Sequence, residues 1–497
     1  MKSRIIFWID AFLLHYCIAH YLQKNYDCDL YGIVDVTPKP KKFFDEQNLV
    51  QFKRIWFYND HIKTSIKPDL EYLQNFESKY DINLWNLAIN ERLFYRFNNF
   101  YKFNDGEIQA ILEQECRLFE NILDETKPDF FIAEKPILHH ANLFYEMCLR
   151  KGVTPILFTQ SRIGYKSVLC RKVQELDSID QFKNIQSKHR SFDELRNYLE
   201  STDVSKQIGA YKNKFASSRK GRFEAATNFL LSNNNHSKTY YSYFGRSKPK
   251  VLSQTISSLL KKKNRQRFID NALLKDIPHN EKFVYFPLAM DEERNLLVGA
   301  PYYTNQIEVI RMISKSLPID HKLYVKEHYS VAIRDWRAIS EYKEIMEIPN
   351  VRLFHPSVKN DLFLKNCSLV ITIAGTSGFE AAFYEKPAII FAETNYSILP
   401  SVHKIKSVEE LPFAIRNSLK IKTNSDDLDK FLAILEKDSI DFDLYGFISE
   451  MHDFFYYGGH LVNVEIPVQK MNLFLNDHKD ILTKLALEHV KKINYYK

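Results

Sequence analysis

Two parts of the sequence alternate between short β-branched runs and longer segments with helical periodicity. In the first 175 residues, strands are predicted at 4–9, 30–35, 129–133 and 153–159, and helices at 11–25 and 136–151. From residue 282 onward, strands are predicted at 282–287, 321–326, 350–354, 368–373 and 388–391. The intervening segments 305–316, 333–346 and 359–366, and a segment starting at 378, predict helices. Such alternation is typical of parallel sheets covered by helices, so we expect an α/β protein with two Rossmann-like domains.

The remaining segments are less regular. Residues 43–103 support no firm prediction, and residues 176–280 lack clear strand patterns and contain a polar loop at 232–237. A chain of 497 residues exceeds the usual size of one hydrophobic core. We therefore predict an N-terminal Rossmann-like domain at 1–175, a helical basic connection at 176–280, a C-terminal Rossmann-like domain at 281–423 and a helical tail at 424–497.

Charge is unevenly distributed along the chain. The formal net charge is +7, yet residues 225–269 contain no Asp or Glu. Within this segment Leu252, Ile256, Leu259 and Leu260 form an apolar stripe that leads into the basic run 261–267. A stripe of this kind suits peripheral contact of residues 250–267 with an anionic membrane, or an ordinary interdomain helix. No nucleic-acid-binding motif accompanies the charge, so we expect no nucleic-acid partner.

Composition indicates the cellular compartment in which the protein is expected. The six cysteines are scattered, without a C-x-x-C pair, which favours a reducing environment over a disulfide framework. Asp10 and His15 interrupt the N-terminal apolar run, and no stretch is long and apolar enough to predict a transmembrane helix. The expected location is the cytoplasm, with the inner face of the membrane as a possible site of peripheral attachment.

The clearest local motif follows the strand predicted at 368–373. Gly375-Thr376-Ser377-Gly378 forms a small-residue turn directly before a predicted helix. Backbone N–H groups and two hydroxyls in such a turn can bind phosphate at the carboxyl end of a parallel strand. Ser377 and Glu380 also have the spacing of a capping box, which requires no ligand.

Neighbouring strand ends offer further polar groups. Lys326 and His328 share one face if the strand at 321–326 stays extended, and His355 follows the next strand. His328 could donate a hydrogen bond to phosphate or act as an acid, although a single histidine at a strand end is often structural. Glu380 could accept hydrogen bonds from ribose hydroxyls. Together these residues predict a donor-binding crevice.

No metal site is expected near these groups. The D-x-D sequences at 27–29 and 441–443 lie before a strand and in the helical tail, where solvated turns are the simpler interpretation. Protein groups would then have to neutralise a leaving phosphate. No cofactor is predicted beyond a nucleotide-linked donor.

These motifs resemble the capsule polysaccharide biosynthesis family. The resemblance rests on 325–328 (Val-Lys-Glu-His), 349–353 (Pro-Asn-Val-Arg-Leu), 375–381 (Gly-Thr-Ser-Gly-Phe-Glu-Ala) and 385–388 (Glu-Lys-Pro-Ala). It covers residues 282–395 well and 129–170 loosely. Tyr329 stands where the family's His-Pro motif has proline, and 291–293 reads Asp-Glu-Glu in place of Gln-Pro-Glu.

The resemblance implies a glycosyltransferase of the GT-B type, in which two Rossmann-like domains face each other across a cleft. Its expected donor is a CMP-linked 2-keto sugar acid, such as Kdo or a nonulosonic acid, and its expected acceptor is a surface polysaccharide or lipid-linked glycan. A CDP-glycerol glycerophosphotransferase or a UDP-sugar transferase remains an alternative, because both use a similar turn. A non-catalytic scaffold of glycan assembly is another.

A hydroxyl acceptor must lose a proton, which predicts a carboxylate in the N-terminal domain. Asp10 and Glu134 follow the strands at 4–9 and 129–133 and are the candidate catalytic bases. Alternatively, Asp10 could cap the next helix and Glu134 could be a solvated loop charge. Arg162, beyond the strand at 153–159, could pair with the donor's carboxylate through its planar guanidinium.

Overall fold

The computed structural model describes residues 2–63, 67–201, 219–232, 236–278, 280–332 and 337–497. Its strands are β1 (Ser3–Ile9), β2 (Cys28–Val34), β3 (Phe52–Phe57), β4 (Phe130–Glu134), β5 (Thr154–Gln160), β6 (Ser167–Cys170), β7 (Lys282–Pro287), β8 (His321–Lys326), β9 (Val351–Phe354), β10 (Leu369–Thr372), β11 (Ala388–Ile390), β12 (Val402–Lys404) and β13 (Ser439–Ile440).

Helices occupy most of the remaining chain. Those described are Leu14–Asn25, Pro38–Glu46, Leu70–Tyr80, Leu84–Ile89, Asp105–Thr126, His139–Arg150, Phe192–Ser201, Arg219–Leu231, His236–Thr239, Lys248–Ala272, Arg294–Leu297, Gln306–Ser316, Ile339–Met346, Asn360–Asn366, Ser377–Phe383, Leu411–Ser418, Ser425–Asp438, Leu444–Phe455, Val468–Asp477 and Lys479–Tyr496. Across the described ranges, none of these helices has the length and apolar character needed to span a bilayer.

The chain divides into two compact units. Unit 1 comprises Met1–Val173, Thr202–Lys250 and Asp438–Lys497, and unit 2 comprises Gln174–Ser201 and Val251–Lys437. The boundaries predicted at 175, 280 and 423 lie where the strand patterns of the sequence begin or end. The two units are instead defined by which residues pack together in space. Residues predicted to form a connection and a tail therefore contribute to the units themselves.

Unit 1 contains a seven-stranded sheet with the order β13-β6-β5-β4-β1-β2-β3. Strands β3, β2, β1, β4 and β5 run parallel, and β6 and β13 add an antiparallel edge. The helix Lys479–Tyr496 packs against Leu14–Asn25, and apolar side chains of both helices share one core with the sheet. Each fully buried aliphatic side chain contributes about 1.5–3 kcal/mol, which explains why the C-terminal segment is held against the first sheet.

Unit 2 contains a six-stranded parallel sheet with the order β12-β11-β10-β7-β8-β9. Its strands are nearly continuous runs of buried apolar residues, as expected for a sheet covered on both faces. Strand order reverses between β7 and β10, and ligands commonly bind at the carboxyl ends of strands around such a reversal.

The prediction of an α/β protein with two Rossmann-like sheets is confirmed. Strands β7 and β8 have the predicted bounds, and β1, β2, β4, β5, β9, β10 and β11 lie within one or two residues of theirs. Helix starts are less accurate: the helix expected from residue 11 begins at Leu14, and the one expected from 136 begins at His139. Part of the predicted helix 333–346 and part of the loop 232–237 lie outside the described residues.

Candidate functional site

Three carboxylates lie at the carboxyl ends of adjacent strands in unit 1. Asp10 follows β1, Asp35 follows β2 and Glu134 ends β4, and β1 lies between β2 and β4. Since these strands are parallel, the three residues share one edge of the sheet. We call this set the acidic edge.

The interpretation of Asp10 as a helix cap is wrong. The following helix starts at Leu14 and is capped by Leu13, which has a left-handed φ of 55° and provides no side-chain hydrogen bond. Asp10 Oδ1 instead accepts a hydrogen bond from the backbone N–H of Phe12 at 3.0 Å. Left-handed backbone costs a non-glycine residue roughly 1–2 kcal/mol, so this strained loop is maintained by the packing around the buried Leu13.

Burial and neighbouring carboxylates change the ionisation of both Asp10 and Glu134. Burial raises the pKa of Asp10 to about 6, with Asp35 adding to the increase. Burial also raises the pKa of Glu134 to about 8, with the charge of Asp10 as the next cause. The two groups therefore titrate as a pair near neutral pH, the range in which a carboxylate can act as a general base.

Asp35 is a member of the acidic edge that sequence reasoning missed. Its Oδ2 lies 2.9 Å from Nε2 of His140, and its Oδ1 accepts a hydrogen bond from Asn59 Nδ2 at 3.0 Å. The available signal was its place at the end of a predicted strand, as for Asp10 and Glu134. Tyr456, a buried residue of the C-terminal segment, was also missed: burial and then Asp10 raise the pKa of its hydroxyl.

Arg162 lies in the tight turn between β5 and β6. The turn is closed by a hydrogen bond from Ser161 N to Lys166 O, and Arg162 has a left-handed φ of 69°. No carboxylate within the described chain pairs with its guanidinium, and its side chain is only partly buried. β5 is the neighbour of β4, which ends at Glu134, so the arginine belongs to the same end of the sheet as the acidic edge.

In unit 2, two buried residues of opposite charge, Lys326 and Glu327, lie at the end of β8. Lys326 is 8% exposed, and burial lowers its pKa while Glu380 and then Glu327 raise it. Glu327 accepts two hydrogen bonds from Arg337 Nη1, at 2.6 and 2.9 Å. Arg337 also lies 3.3 Å from Asp291. Asp291, where the sequence departs from the family's Gln-Pro-Glu, thus belongs to a buried ion network.

The two histidines at this edge are oriented by local contacts. His328 is partly buried, accepts a hydrogen bond from Ser330 N at Nδ1 over 3.2 Å and packs beside the ring of Tyr329. His355 Nδ1 lies 2.6 Å from Ser357 Oγ, and its Nε2 lies 3.0 Å from Asp270 Oδ1. Both ring nitrogens of His355 are therefore engaged by the protein, and a donor-binding role for it stays a prediction.

The turn 375–378 follows β10 without forming the capping box. Thr376 is the residue before the helix, and no side chain caps that helix. Thr376 is exposed and Ser377 is partly exposed. A Cβ on Gly378 would lie 2.7 Å from Tyr396 Oη, and one on Gly375 would lie 2.6 Å from Thr372 Oγ1. A side chain at either position would therefore force its neighbours to shift, which favours glycine there irrespective of any ligand.

Glu380, on the helix after β10, interacts with Asn360 and with Lys326 at the end of β8. Its Oε2 accepts a hydrogen bond from Asn360 Nδ2 at 2.8 Å, and Asn360 accepts one from the hydroxyl of Tyr285. The charge of Glu380 also acts on Lys326. Lys326 and Glu380 are therefore near each other, whereas His328 and His355 lie on adjacent loops of the same edge.

Comparison with known families gives one sequence match. The profile of the capsule polysaccharide biosynthesis protein family matches residues 193–400, which include the strands and turns of unit 2 from β7 to β11. The resemblance inferred from the motifs is thereby confirmed over that range. No curated protein sequence matches the chain.

Several solved structures are similar at low identity. The β-Kdo 2,7 transferase KpsC of Thermosulfurimonas dismutans is 12% identical, with 64% of this chain and 80% of that chain covered and a TM-score of 0.31. UDP-GlcNAc 2-epimerase of Methanocaldococcus jannaschii is 15% identical over 88% of this chain and 100% of that chain, with a TM-score of 0.25. A glycosyltransferase of Rickettsia africae is 10% identical over 92% and 98%, with a TM-score of 0.24. Scores this low carry no argument about the activity of this chain.

Proposed function

We propose, from the membership of residues 193–400 in the capsule polysaccharide biosynthesis family, that this protein is a glycosyltransferase. It moves a sugar from a nucleotide-linked donor to a hydroxyl of a growing polysaccharide or lipid-linked glycan. The observation that carries the proposal is the pairing of Asp10 with Glu134, two carboxyls with raised pKa at one strand edge. Such a pair supplies the base that transfer to a hydroxyl needs.

The donor is held by unit 2 without a metal ion. Lys326 supplies a positive charge at the end of β8, and the hydroxyls of Thr376 and Ser377 supply hydrogen bonds to phosphate oxygens. His328 adds a donor to the same phosphate, and Glu380 accepts from ribose hydroxyls. The preferred donor is a CMP-linked 2-keto sugar acid, whose carboxylate pairs with the guanidinium of Arg162.

In the chemical step Glu134 takes the proton of the acceptor hydroxyl. The acceptor oxygen forms a bond to the anomeric carbon, and the bond between that carbon and the phosphate oxygen breaks. The bonding electrons leave with the nucleoside monophosphate, whose negative charge is stabilised by Lys326 and His328. Asp10 raises the proton affinity of Glu134 through its own charge.

A thermal-shift panel of CMP, CDP, UDP and GDP tests the donor assignment, because a ligand that binds only the folded state raises the melting temperature. The largest shift with CMP supports the proposal. A larger shift with CDP or UDP would replace the donor by CDP-glycerol or a UDP-sugar. No shift with any nucleotide, at concentrations up to millimolar, would favour a non-catalytic scaffold.

The helix Lys248–Ala272 provides a membrane-contacting surface. Leu252, Ile256, Leu259 and Leu260 are 47–67% exposed and recur at helical spacing. Lys261, Lys262 and Lys263 follow on the same helix, and the segment lacks acidic residues up to Asp270. Exposed apolar side chains next to lysines suit anionic lipid.

Co-sedimentation with phosphatidylcholine vesicles, with and without phosphatidylglycerol, tests this surface. We expect binding only to the anionic vesicles, with loss in the Ile256→Ser/Leu259→Ser variant and at high salt. Ile319→Ser is the control, since Ile319 is fully exposed outside the stripe. Equal sedimentation of the double variant and the wild type would contradict membrane contact through this helix.

A further inference from the structure

A group of buried polar residues lies behind the acidic edge in unit 1. Glu115, His139 and His140 are 0%, 2% and 3% exposed. One potential ligand atom from each of them lies within 4.8 Å of the others. Nε2 of His139 is 3.0 Å from Glu115 Oε1. We call these three residues the Glu-His-His cluster.

The outward-facing nitrogens of both histidines are held by carboxylates. His139 Nδ1 lies 3.0 Å from Glu91 Oε2, and His140 Nε2 lies 2.9 Å from Asp35 Oδ2. A carboxylate on the far ring nitrogen is the usual support of a metal-binding histidine, because it fixes the ring and the tautomer. His139 contacts a carboxylate through each ring nitrogen, so a cation at the cluster would displace the proton between His139 Nε2 and Glu115 Oε1. Nδ1 of His140 lies beside the hydroxyl of Tyr241.

Further oxygen atoms converge on the same point. Tyr58 donates a hydrogen bond to Glu115 Oε1, and Tyr241 Oη lies 2.7 Å from Tyr58 Oη and 3.4 Å from His140 Nδ1. Both tyrosines are buried. A hydroxyl is therefore adjacent to the three potential ligands and could complete a four-coordinate site.

One oxygen of Glu115 has no hydrogen-bond partner among the described residues. Its Oε2 is fully buried, while Oε1 receives all the contacts described above. A buried carboxylate oxygen without a partner has lost its hydration without compensation. Glu91, Glu115 and Asp35 place three carboxylates around the two histidines, and Arg92 lies 3.8 Å from Glu91. A cation at the cluster would contact the unpartnered oxygen of Glu115.

We propose that the Glu-His-His cluster binds one divalent transition-metal ion, with Zn²⁺ as the best fit to a mixed nitrogen and oxygen ligand set. The ion would join the helix Asp105–Thr126, which carries Glu115, to the start of the helix His139–Arg150. Through His140 and Asp35 it would also fix the loop after β2. The metal ion would stabilise unit 1 and take no part in donor binding. The proposal of a metal site is therefore independent of the proposed transferase activity.

The first test uses wild-type protein, in two forms. Metal content is measured by mass spectrometry after expression with added Zn²⁺ and extensive dialysis. A second sample is unfolded with chelator, dialysed free of it, and refolded with or without Zn²⁺ or Mn²⁺, because a buried site exchanges slowly. We expect about one equivalent of metal and a melting temperature several degrees higher in the metal-loaded form. Absence of bound metal in both samples overturns the proposal and leaves a hydrogen-bonded network.

The second test locates the metal. Glu115→Gln and His140→Gln should lose the bound ion and the associated rise in melting temperature. His20→Gln is the matched control, because His20 is a buried histidine of the same unit, with Nδ1 2.9 Å from Leu49 O. Retention of a full equivalent by folded Glu115→Gln protein overturns the assignment. If that variant does not fold, the metal content of the refolded wild type decides the question.

Nucleotide-induced thermal shift is recorded on the same samples. A wild type that binds nucleotide but no metal contradicts only the metal site, whereas one that binds metal but no nucleotide contradicts only the transferase.

Discussion

The carboxyl edges of the two sheets have opposite chemistry. In unit 1 the edge is formed by Asp10, Asp35 and Glu134, and burial raises the pKa of two of these carboxyls. In unit 2 the edge presents the largely buried Lys326 and the hydroxyls of Thr376 and Ser377. One edge is suited to removing a proton and the other to binding an anion. Two sheets of the same class thus differ in the chemistry of the residues that end their strands.

The largest effect is expected from the acidic edge. Glu134→Gln keeps the shape of the side chain but removes the base, so transfer should fall by a factor of about 10²–10⁴. Nucleotide-induced thermal shift should be unchanged, because the proposed donor site lies in unit 2. Asp129→Asn is the control, since Asp129 lies at the amino end of β4 and accepts a hydrogen bond from Arg4 N. Wild-type transfer rates in both Glu134→Gln and Asp10→Asn would remove the acidic edge from the chemistry.

The next effect concerns the edge of unit 2 formed by Lys326, His328, Thr376 and Ser377, which we call the anion-binding edge. His328→Ala should weaken CMP binding by about 10- to 150-fold, equivalent to a charge-assisted hydrogen bond of about 1.5–3 kcal/mol. Titration calorimetry measures the affinity, and circular dichroism verifies the fold. His321→Ala, at the amino end of β8, should bind CMP normally. Unchanged CMP affinity in folded His328→Ala protein would exclude this histidine from the donor site.

The coupling of Asp10 and Glu134 predicts a shift in pH dependence. Glu134 must be ionised to accept a proton, so kcat/KM should rise with pH through an apparent pKa near 8. The charge of Asp10 raises that pKa, so Asp10→Asn should move the acidic limb to lower pH. Initial rates measured from pH 5 to 9 test this, with Asp129→Asn as the control. A limb at the same pH in Asp10→Asn would show that the two carboxyls are independent.

The smallest effect is expected from brief chelation. The proposed anion-binding edge uses Lys326, His328 and hydroxyls in place of metal ligands, so EDTA added at the start of the assay should leave most turnover intact. The Glu-His-His cluster is fully buried, and its ion should not exchange within the assay. Loss of activity that Mg²⁺ or Mn²⁺ restores would mean that the donor is held through metal ligands other than the residues named here.

Much of each edge could be predicted because parallel strands bring their ends together. The strand patterns located Asp10, Glu134, Lys326 and the hydroxyl turn, and the structure has each of them at a strand end. Asp35 also lies at the end of a predicted strand, but it belongs to no motif and was not identified from the sequence. The predicted roles of His328, His355 and Arg162 in donor binding remain predictions, as does the arrangement of the two domains across a cleft.

The sequence by itself determined the α/β class, the alternation of strands and helices and the residues that end the strands, because these depend on local periodicity. Only the tertiary structure decided the environments of those residues. His355 is engaged by Asp270, 85 residues away in the chain, and Tyr396 limits the space for a side chain at Gly378. The Glu-His-His cluster depends on a contact between Glu115 and His139, 24 residues apart on different helices. Burial, partner choice and pKa depend on which distant segments pack together, and local sequence patterns do not encode that.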